Sequence, residues 1–370
     1  MNRPKVLQIG SENFGAGGRS VIAYNLTYPL ITDYEIDFLA LGELKNPQFH
    51  QIIEKNGGKV IHVEDTSNKL SKFRKILKIL KSEKFDIIHI NADDASEALV
   101  NFILSKLSGA RTIVHAHSTS PNIEEGFVSQ LKRVIARIVI NCFVDDRLTC
   151  SIEAADYMFG NKSSSKATII KNGIDIDKFS FNKVNREQVR KALNISDRQV
   201  VIGTIGRITT SKNPYFIVEL IKQLQRSDEK YLFLWIGDGE ERGSVEQLLA
   251  NEIDNKRVFM LGNQENPSLY LQAMDLFVLP SLYEGFGIVN IEAQASGLSC
   301  IVSSSIPDLA VVNPNFYRLN TTDNLWSWVE KIEKMDYTRY LRDPYRKLKA
   351  AGFDIKDSAN VLRNIYNSLL

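Results

Sequence analysis

The chain has 370 residues, 44% of them hydrophobic and 24% charged, which fits two domains of ordinary size and excludes a disordered or collagen-like chain. Lys and Arg number 46 against 44 Asp and Glu, a net charge of +2. Bulk charge therefore gives no ground for a nucleic-acid partner, and any anion site must be local.

Short apolar runs alternate with longer amphipathic ones almost throughout. The first strand is predicted at Lys5–Ile9, and its run Val6 to Ile9 is too short for the apolar core of a signal peptide. Glycine-rich Gly15-Ala16-Gly17-Gly18 follows it, as a tight strand-to-helix turn would. Further strands are predicted at Glu35–Leu41, Lys59–Val63, Asp86–Asn91, Arg111–His117 and Thr168–Lys171. Between them Leu70, Phe73, Ile76, Leu77 and Leu80 form a stripe at helical spacing. The same segment carries Lys69, Lys72, Arg74, Lys75, Lys78, Lys81 and Lys84 against one acid, Glu83. The simpler reading is the solvated outer face of a helix; the sharper one is contact with an anionic membrane surface.

No apolar run approaches the roughly 18 residues that cross a membrane. The longest, Val134 to Val144, is short and contains Arg137. Cys142, Cys150 and Cys300 are too few, and odd in number, for a disulfide framework, which points to a reducing compartment. Of the five histidines only His115 and His117 lie close in sequence. A His-x-His pair on a strand can ligate metal, but no third ligand lies nearby.

Phe179 to Arg198 is polar, with few apolar residues, and marks a domain boundary near residue 180. Beyond it strands are predicted at Val200–Ile205, Tyr231–Ile236, Val258–Leu261, Leu276–Leu279 and Cys300–Ser303. Strands alternating with helices in both halves predict an α/β chain of two Rossmann-like domains, 1–180 and 181–370, facing each other across a cleft. Ligands in such sheets sit beyond the carboxyl ends of the strands.

Two segments of the second half carry chemistry. Gly203-Thr204-Ile205-Gly206-Arg207 ends a strand, and Ser211-Lys212-Asn213-Pro214 leads into a helix. Asn213 suits the N-cap and Pro214 the first helical position. Arg207 and Lys212 beside a helix N-terminus suit a diphosphate, although two solvated basic residues in a loop would read the same way. The second segment is Leu279-Pro280-Ser281-Leu282-Tyr283-Glu284-Gly285-Phe286-Gly287-Ile288-Val289-Asn290-Ile291-Glu292. Here a strand enters a glycine loop that opens a helix, which Gly297 ends. Ile288 and Glu292 share a helix face, and a carboxylate there can accept hydrogen bonds from vicinal hydroxyls such as a ribose offers.

These residues resemble the E-x7-E motif of the retaining GT-B glycosyltransferases of family 4. Arg207 with Lys212, Asn172-Gly173-Ile174-Asp175 and Gly237-Asp238-Gly239-Glu240 fit as companions. Val114-His115-Ala116-His117, Cys150 to Ala155, Ile174 to Phe179 and Gly352-Phe353-Asp354-Ile355-Lys356 are similar to the bacterial capsular and exopolysaccharide subgroup. The resemblance spans essentially the whole chain, in the family's order. It implies an acceptor-side first domain and a nucleotide-sugar-binding second domain, with the last helix able to pack back on the first.

It also implies roles. Arg207 and Lys212 would hold the donor diphosphate, with Gly206 and the N–H groups near Ile288 and Val289. Glu292 would hold the ribose, while Glu284, Phe286 and Gly287 would meet the sugar. Gly262, Asn263 and Gln264 would meet the base. His117 would meet the sugar from the first domain, and Gly17 and Gly18 would lie near the phosphates and acceptor. His115 is left out of this set. After the glycine pair the subgroup often has Ala or Ile then Glu, where this chain has Arg19 and Ser20, a departure on the acceptor side.

The implied activity is retaining transfer from a UDP-sugar to a glycan or polyprenyl-linked acceptor in bacterial surface polysaccharide synthesis. It implies no metal or other cofactor, no nucleic acid, and a cytoplasmic protein, with peripheral contact at the inner face of the membrane through the basic helix. Two alternatives stay open: an inactive GT-B protein that binds a glycan or stabilises a partner, and a GT-B sugar-nucleotide epimerase.

Overall fold

The structure is a computed structural model that describes residues 3–10, 18–41, 47–63, 68–118, 126–284, 287–322 and 325–370. It divides into two units, one of residues 1–173 with 355–370, the other of 174–354.

The first unit is built on a sheet of seven strands: β1 (Lys5–Ile9), β2 (Glu35–Leu41), β3 (Val60–Val63), β4 (Ile87–Ala92), β5 (Arg111–Ala116), β6 (Asp146–Thr149) and β7 (Thr168–Ile169). Their order is β3-β2-β1-β4-β5-β6-β7, with every neighbour parallel. Parallel strands need crossovers, so helices cover both faces and the strands read as apolar runs. Side chains alternate across the sheet. Leu7, Ile9, Ile88 and Ile90 join one core, under the helices Lys69–Glu83, Ala95–Ser108 and Phe127–Phe143. Val6, Ile87 and Ile113 join the other, under the helix Gly18–Thr27 and the last helix, Ile355–Leu369. Each large apolar side chain fully buried in these cores contributes roughly 1.5–3 kcal/mol.

The second unit repeats the plan with β8 (Val200–Ile205), β9 (Tyr231–Ile236), β10 (Val258–Gly262), β11 (Leu276–Leu279), β12 (Ser299–Ser303) and β13 (Phe316–Leu319). The order is β10-β9-β8-β11-β12-β13, again parallel throughout.

β6 and β13 are absent from the sequence reading. β6 reads Asp146-Arg147-Leu148-Thr149, two charges in four residues, and the Arg147 guanidinium is satisfied by the Asn141 side-chain oxygen (3.2 Å) and main-chain carbonyl (2.5 Å) of the preceding helix. β13 is an edge strand and can carry Arg318, which pairs with Asp308. The units divide between Gly173 and Ile174 rather than near 180, because Ile174, Ile176 and Phe179 pack into the second core. The last helix returns to the first unit, where Leu362, Ile365 and Tyr366 are buried. Of the Leu70–Leu80 stripe, Ile76 and Leu80 are buried and Phe73 and Leu77 pack against the core, but Leu70 is exposed. Among the described residues no helix is long and apolar enough to cross a membrane.

Candidate functional site

The strand order of the second sheet reverses between β8 and β11, and the carboxyl ends of these two neighbours carry most of the expected residues. That reversal is where doubly wound sheets leave a crevice. Gly206 follows β8, and its N–H donates to Ile236 O (3.0 Å). A β-carbon on Gly206 would touch the Lys212 stem at 3.8 Å, so Lys212 lies alongside it. Arg207, the next residue, is exposed and its guanidinium has no partner among the described residues.

Past β11 the chain is pinned to the Lys212 segment by Leu282 N–H donating to Ser211 O (2.9 Å). Glu284 then forms an ion pair with Lys212 and accepts from Ser281 Oγ at 3.3 Å. Both partners are largely shielded, Glu284 the more so. A cation of the turn before the helix Pro214–Ser227 and a loop carboxylate thus neutralise each other. Charge-assisted bonds of this kind are the strong ones.

Gly287 sits at φ +65 and N-caps the helix Ile288–Ala295. A β-carbon there would come within 2.5 Å of Asn290 Nδ2 and 2.9 Å of Glu284 Cγ, so the position requires glycine. The N–H groups of Ile288 and Val289 open the first turn, where no intrahelical acceptor exists. One turn on, the Glu292 carboxylate is partly buried and has no hydrogen-bond partner among the described residues. Burial pushes its pKa up to about 7, against the pull of Lys178. A protonated or poorly solvated acceptor beside a free helix N-terminus is suited to a neutral diol.

The β10 end contributes less. Gly262 adopts φ +66 and accepts from Gly237 N–H (2.8 Å), and Asn263 is exposed. The Gln264 amide is committed at both ends, donating to Leu261 O (2.6 Å) and accepting from Tyr270 OH (2.8 Å). Those two bonds fix the orientation of the Gln264 side chain. Asn213 occupies the N-cap of the helix Pro214–Ser227, but at φ 55 and without a side-chain cap bond. It turns the chain instead of capping it.

In the first unit His117 follows β5. Its Nε2 lies 2.9 Å from Asn91 Oδ1, at the end of β4. Burial, then the neighbouring His115, His89 and Arg19, which disfavour a further positive charge, hold its pKa well below the ordinary value, so the ring is neutral. Gly18 opens the helix Gly18–Thr27, whereas Gly17 and Phe286 lie outside the described residues. Arg19, at the point of departure from the subgroup, pairs with Asp93 (3.0 Å) and Glu97 (2.9 Å). Its charge is thereby balanced within its own unit. Among the described residues no group of three His, Cys, Asp or Glu is placed to hold a metal ion.

Residues 16–178 match the family described as Glycosyltransferase Family 4, and residues 185–339 match Glycosyl transferases group 1. HepE of Anabaena, solved in complex with UDP and glucose, superimposes with a TM-score of 0.78 over 99% of this chain and all of its own, at 17% identity. By sequence and fold, the chain is a GT-B glycosyltransferase of the group 1 and family 4 kind. Among its relatives, EpsF of Bacillus subtilis (strain 168), named as a glycosyltransferase, is 26% identical over 99% of this chain and 97% of its own. An Escherichia coli UDP-Gal:alpha-D-GlcNAc-diphosphoundecaprenol alpha-1,3-galactosyltransferase is 26% identical over 79% of this chain and 77% of its own.

Each unit also holds, beside its expected residues, polar side chains that the sequence reading left out. Ser281 and Asn290 flank Glu284 and Gly287; Asn290 is fully buried, and neither of its amide atoms has a partner among the described residues. A lone Asn inside the apolar run Ile288–Ile291 was the available signal. The His115 ring lies 4.1 Å from that of His117, centroid to centroid, tilted by 35°, and Asn91 holds His117 directly. Asn91 gave no signal, because nothing in sequence marks which strands become neighbours.

Proposed function

We propose that this glycosyltransferase moves a sugar, with retention of configuration, from a UDP-sugar to a glycan or polyprenyl-linked acceptor in bacterial surface polysaccharide synthesis. The observation that carries the reading is the grouping at the β8–β11 reversal: Arg207, Lys212 held by Glu284, and the N–H groups of Ile288 and Val289, with no partner for Arg207 or for those N–H groups among the described residues. Three sources of positive potential converge on one strand edge, as a diphosphate requires. HepE supports the UDP-sugar, having been solved with UDP and glucose, and the galactosyltransferase supports the acceptor class, since its name specifies a UDP-sugar and a diphosphoundecaprenol acceptor.

In this reading the diphosphate displaces Glu284 from Lys212 and engages Arg207 and the helix N-terminus. Glu284, thus released, accepts hydroxyls of the donor sugar, together with Gly287 and Phe286. Glu292 accepts the ribose hydroxyls, and main-chain groups of Gly262 to Gln264 meet the base. His117 is assigned to the sugar, and Gly17 and Gly18 to the phosphates and acceptor. The sugar C1–O bond to phosphate breaks as the acceptor oxygen bonds to C1 on the same face. The leaving phosphate takes the acceptor proton, so no protein nucleophile is needed. Stabilising the leaving diphosphate is then the main catalytic contribution, with Arg207 and Lys212 in the role a metal ion would otherwise fill.

The membrane contact is proposed on a wider surface than the basic helix. Lys69–Glu83 packs beside Ala95–Ser108, and that beside Phe127–Phe143, all on one face of the first sheet. Arg74, Lys75, Lys78 and Lys81 are exposed on the first, while Phe127, Val128, Leu131, Ile135 and Ile138 are exposed on the third, which contains Lys132, Arg133 and Arg137 and no acid. Arg133 and Arg137 turn onto Tyr157, but exposed apolar side chains beside the exposed Lys132 and the cations of the first helix fit an anionic bilayer.

The deciding experiment offers the purified protein a panel of nucleotide sugars and follows hydrolysis and transfer, in chelator, by NMR of the anomeric proton. Retention of configuration with a UDP-sugar is expected. Inversion, or dependence on added metal, removes those parts of the reading. Binding without turnover favours a glycan-binding protein, and interconversion of the nucleotide sugar itself favours an epimerase.

A further inference from the structure

Behind His117, polar side chains of β1, β4, β5 and the last helix join in one chain of hydrogen bonds. They lie on the sheet face that the last helix covers, and Gln8, His89, Asn91, His115 and Tyr366 are all fully buried. The chain has a readable direction. Asn91 Nδ2 is 3.3 Å from Ile9 O and 3.0 Å from Gln8 Oε1. A main-chain carbonyl can only accept, so Nδ2 is the amide NH2 and Oδ1 is the atom facing His117. His117 Nε2, 2.9 Å from that oxygen, must therefore carry its proton.

The other branch follows from the same anchor. Gln8 Oε1 accepts from Asn91, so Gln8 Nε2 donates to Tyr366 OH at 2.9 Å. The Tyr366 hydroxyl then donates its one proton to His89 Nδ1 at 2.8 Å. Burial raises that phenol's pKa, so the proton is present. His89 carries its own proton on Nε2 and donates to His115 Nδ1 at 3.2 Å. All three imidazoles are neutral, because burial lowers their pKa values, that of His115 to about 3. Each is thus the Nε2–H tautomer. Among the described residues His117 Nδ1 is a buried acceptor without a partner, and the His115 Nε2–H is a buried donor without one.

We propose that Asn91 is a positioning residue for His117, fixing it as the Nε2–H tautomer so that Nδ1 accepts a hydrogen bond from a sugar hydroxyl, and that Tyr366 ties this setting to the last helix. The use of Nδ1 rests on the reading of His117 as a donor-sugar residue; the tautomer does not. The resting ring cannot donate from Nδ1 and so cannot act there as a proton donor to the leaving group. Its selectivity is for a ligand group that brings its own hydrogen.

Long-range proton–nitrogen NMR of the full chain with labelled histidine tests the tautomer without substrate. His117→Gln identifies one of the five histidine signals. The expected spectrum shows His117 protonated at Nε2 and bare at Nδ1, as for His89 and His115. A His117 proton on Nδ1 overturns the proposal whatever the activity. Asn91→Leu removes the acceptor, and His117 is expected to populate both tautomers while kcat falls about tenfold. Tyr366→Phe releases the Gln8 amide and is expected to lower kcat about threefold, with His117 moving partly to the second tautomer. In both variants UDP affinity is expected to stay within about twofold, since UDP is assigned to the second unit. Unchanged tautomer and unchanged kcat in Tyr366→Phe would remove the link to the last helix. An unchanged tautomer in Asn91→Leu, or in Tyr366→Phe should the former not fold, would overturn the positioning role. If the unmodified protein turns over no nucleotide sugar, the functional reading fails while the spectrum still decides the tautomer.

Discussion

The two strand edges handle their polar groups in opposite ways. Around His117 the charged and amide groups are bonded to other protein atoms, Arg19 to Asp93 and Glu97, Asn91 to Gln8, Ile9 and His117, Tyr366 to Gln8 and His89, and among the described residues only ring nitrogens, His117 Nδ1 and His115 Nε2, are left without a partner there. At the β8–β11 edge Arg207 and Glu292 have no side-chain partner among the described residues, and Lys212 and Glu284 have chiefly each other. The first arrangement is organised before any ligand arrives. The second holds charge in reserve and must rearrange to use it. The second edge should therefore dominate affinity and depend on pH and charge, while the first should affect turnover with little effect on nucleotide binding.

The largest expected effect comes from removing the reserve cations. Arg207→Ala and Lys212→Ala are each expected to lower kcat about a hundredfold or more, with the fold intact by circular dichroism. An effect no larger than that of Asn91→Leu would erase the contrast between the edges.

Glu292→Ala is expected to weaken binding of the bare nucleoside by about 1–3 kcal/mol, measured by calorimetry. Its raised pKa gives a second handle. If bound hydroxyls favour the carboxylate, nucleoside affinity falls as the pH drops through about 7, and Glu292→Gln removes that dependence. Stability carries the matching sign. The unfolded chain loses this proton near 4.5 and the folded chain near 7, so stability falls as pH rises across that window and then levels. Glu292→Gln should thus raise Tm more at pH 8 than at pH 4.

Gly287→Ala, at φ +65 with two side chains inside 3 Å of the new methyl, should cost upward of about 1 kcal/mol in Tm measurements. The smallest expected effect concerns the surface of the first unit. Each exposed cation near anionic lipid adds about 1 kcal/mol, so co-sedimentation with anionic vesicles should fall steeply with salt. Replacing Lys72, Lys75 and Lys78 with Glu should weaken it while leaving turnover of a soluble acceptor unchanged. Absence of binding by the unmodified protein at low salt would reduce these helices to a solvated surface.

Much of the fold was legible because doubly covered parallel strands are apolar runs whatever their neighbours. Lys5–Ile9, Val200–Ile205 and Tyr231–Ile236 coincide with the observed strands to the residue. β6 and β13 escaped because a strand near or at a sheet end can carry charge that a neighbouring element satisfies. In the site, glycines and spacing made the Glu284–Glu292 segment readable, since a left-handed turn and a helix N-terminus are local. The Lys212–Glu284 pair, 72 residues apart in sequence, and the Asn91–His117 bond, 26 apart, depend on strand order and could not be read locally.

The claim that the β8–β11 edge is a diphosphate site is tested most directly by comparing calorimetric affinities for UDP and uridine, in chelator, in the unmodified protein and in an Arg207→Ala, Lys212→Ala variant. The unmodified protein should bind UDP about a hundredfold more tightly than uridine, and the variant should lose most of that difference while keeping its uridine affinity. Equal affinities in the unmodified protein, or an equal loss of both ligands in the variant, would contradict it.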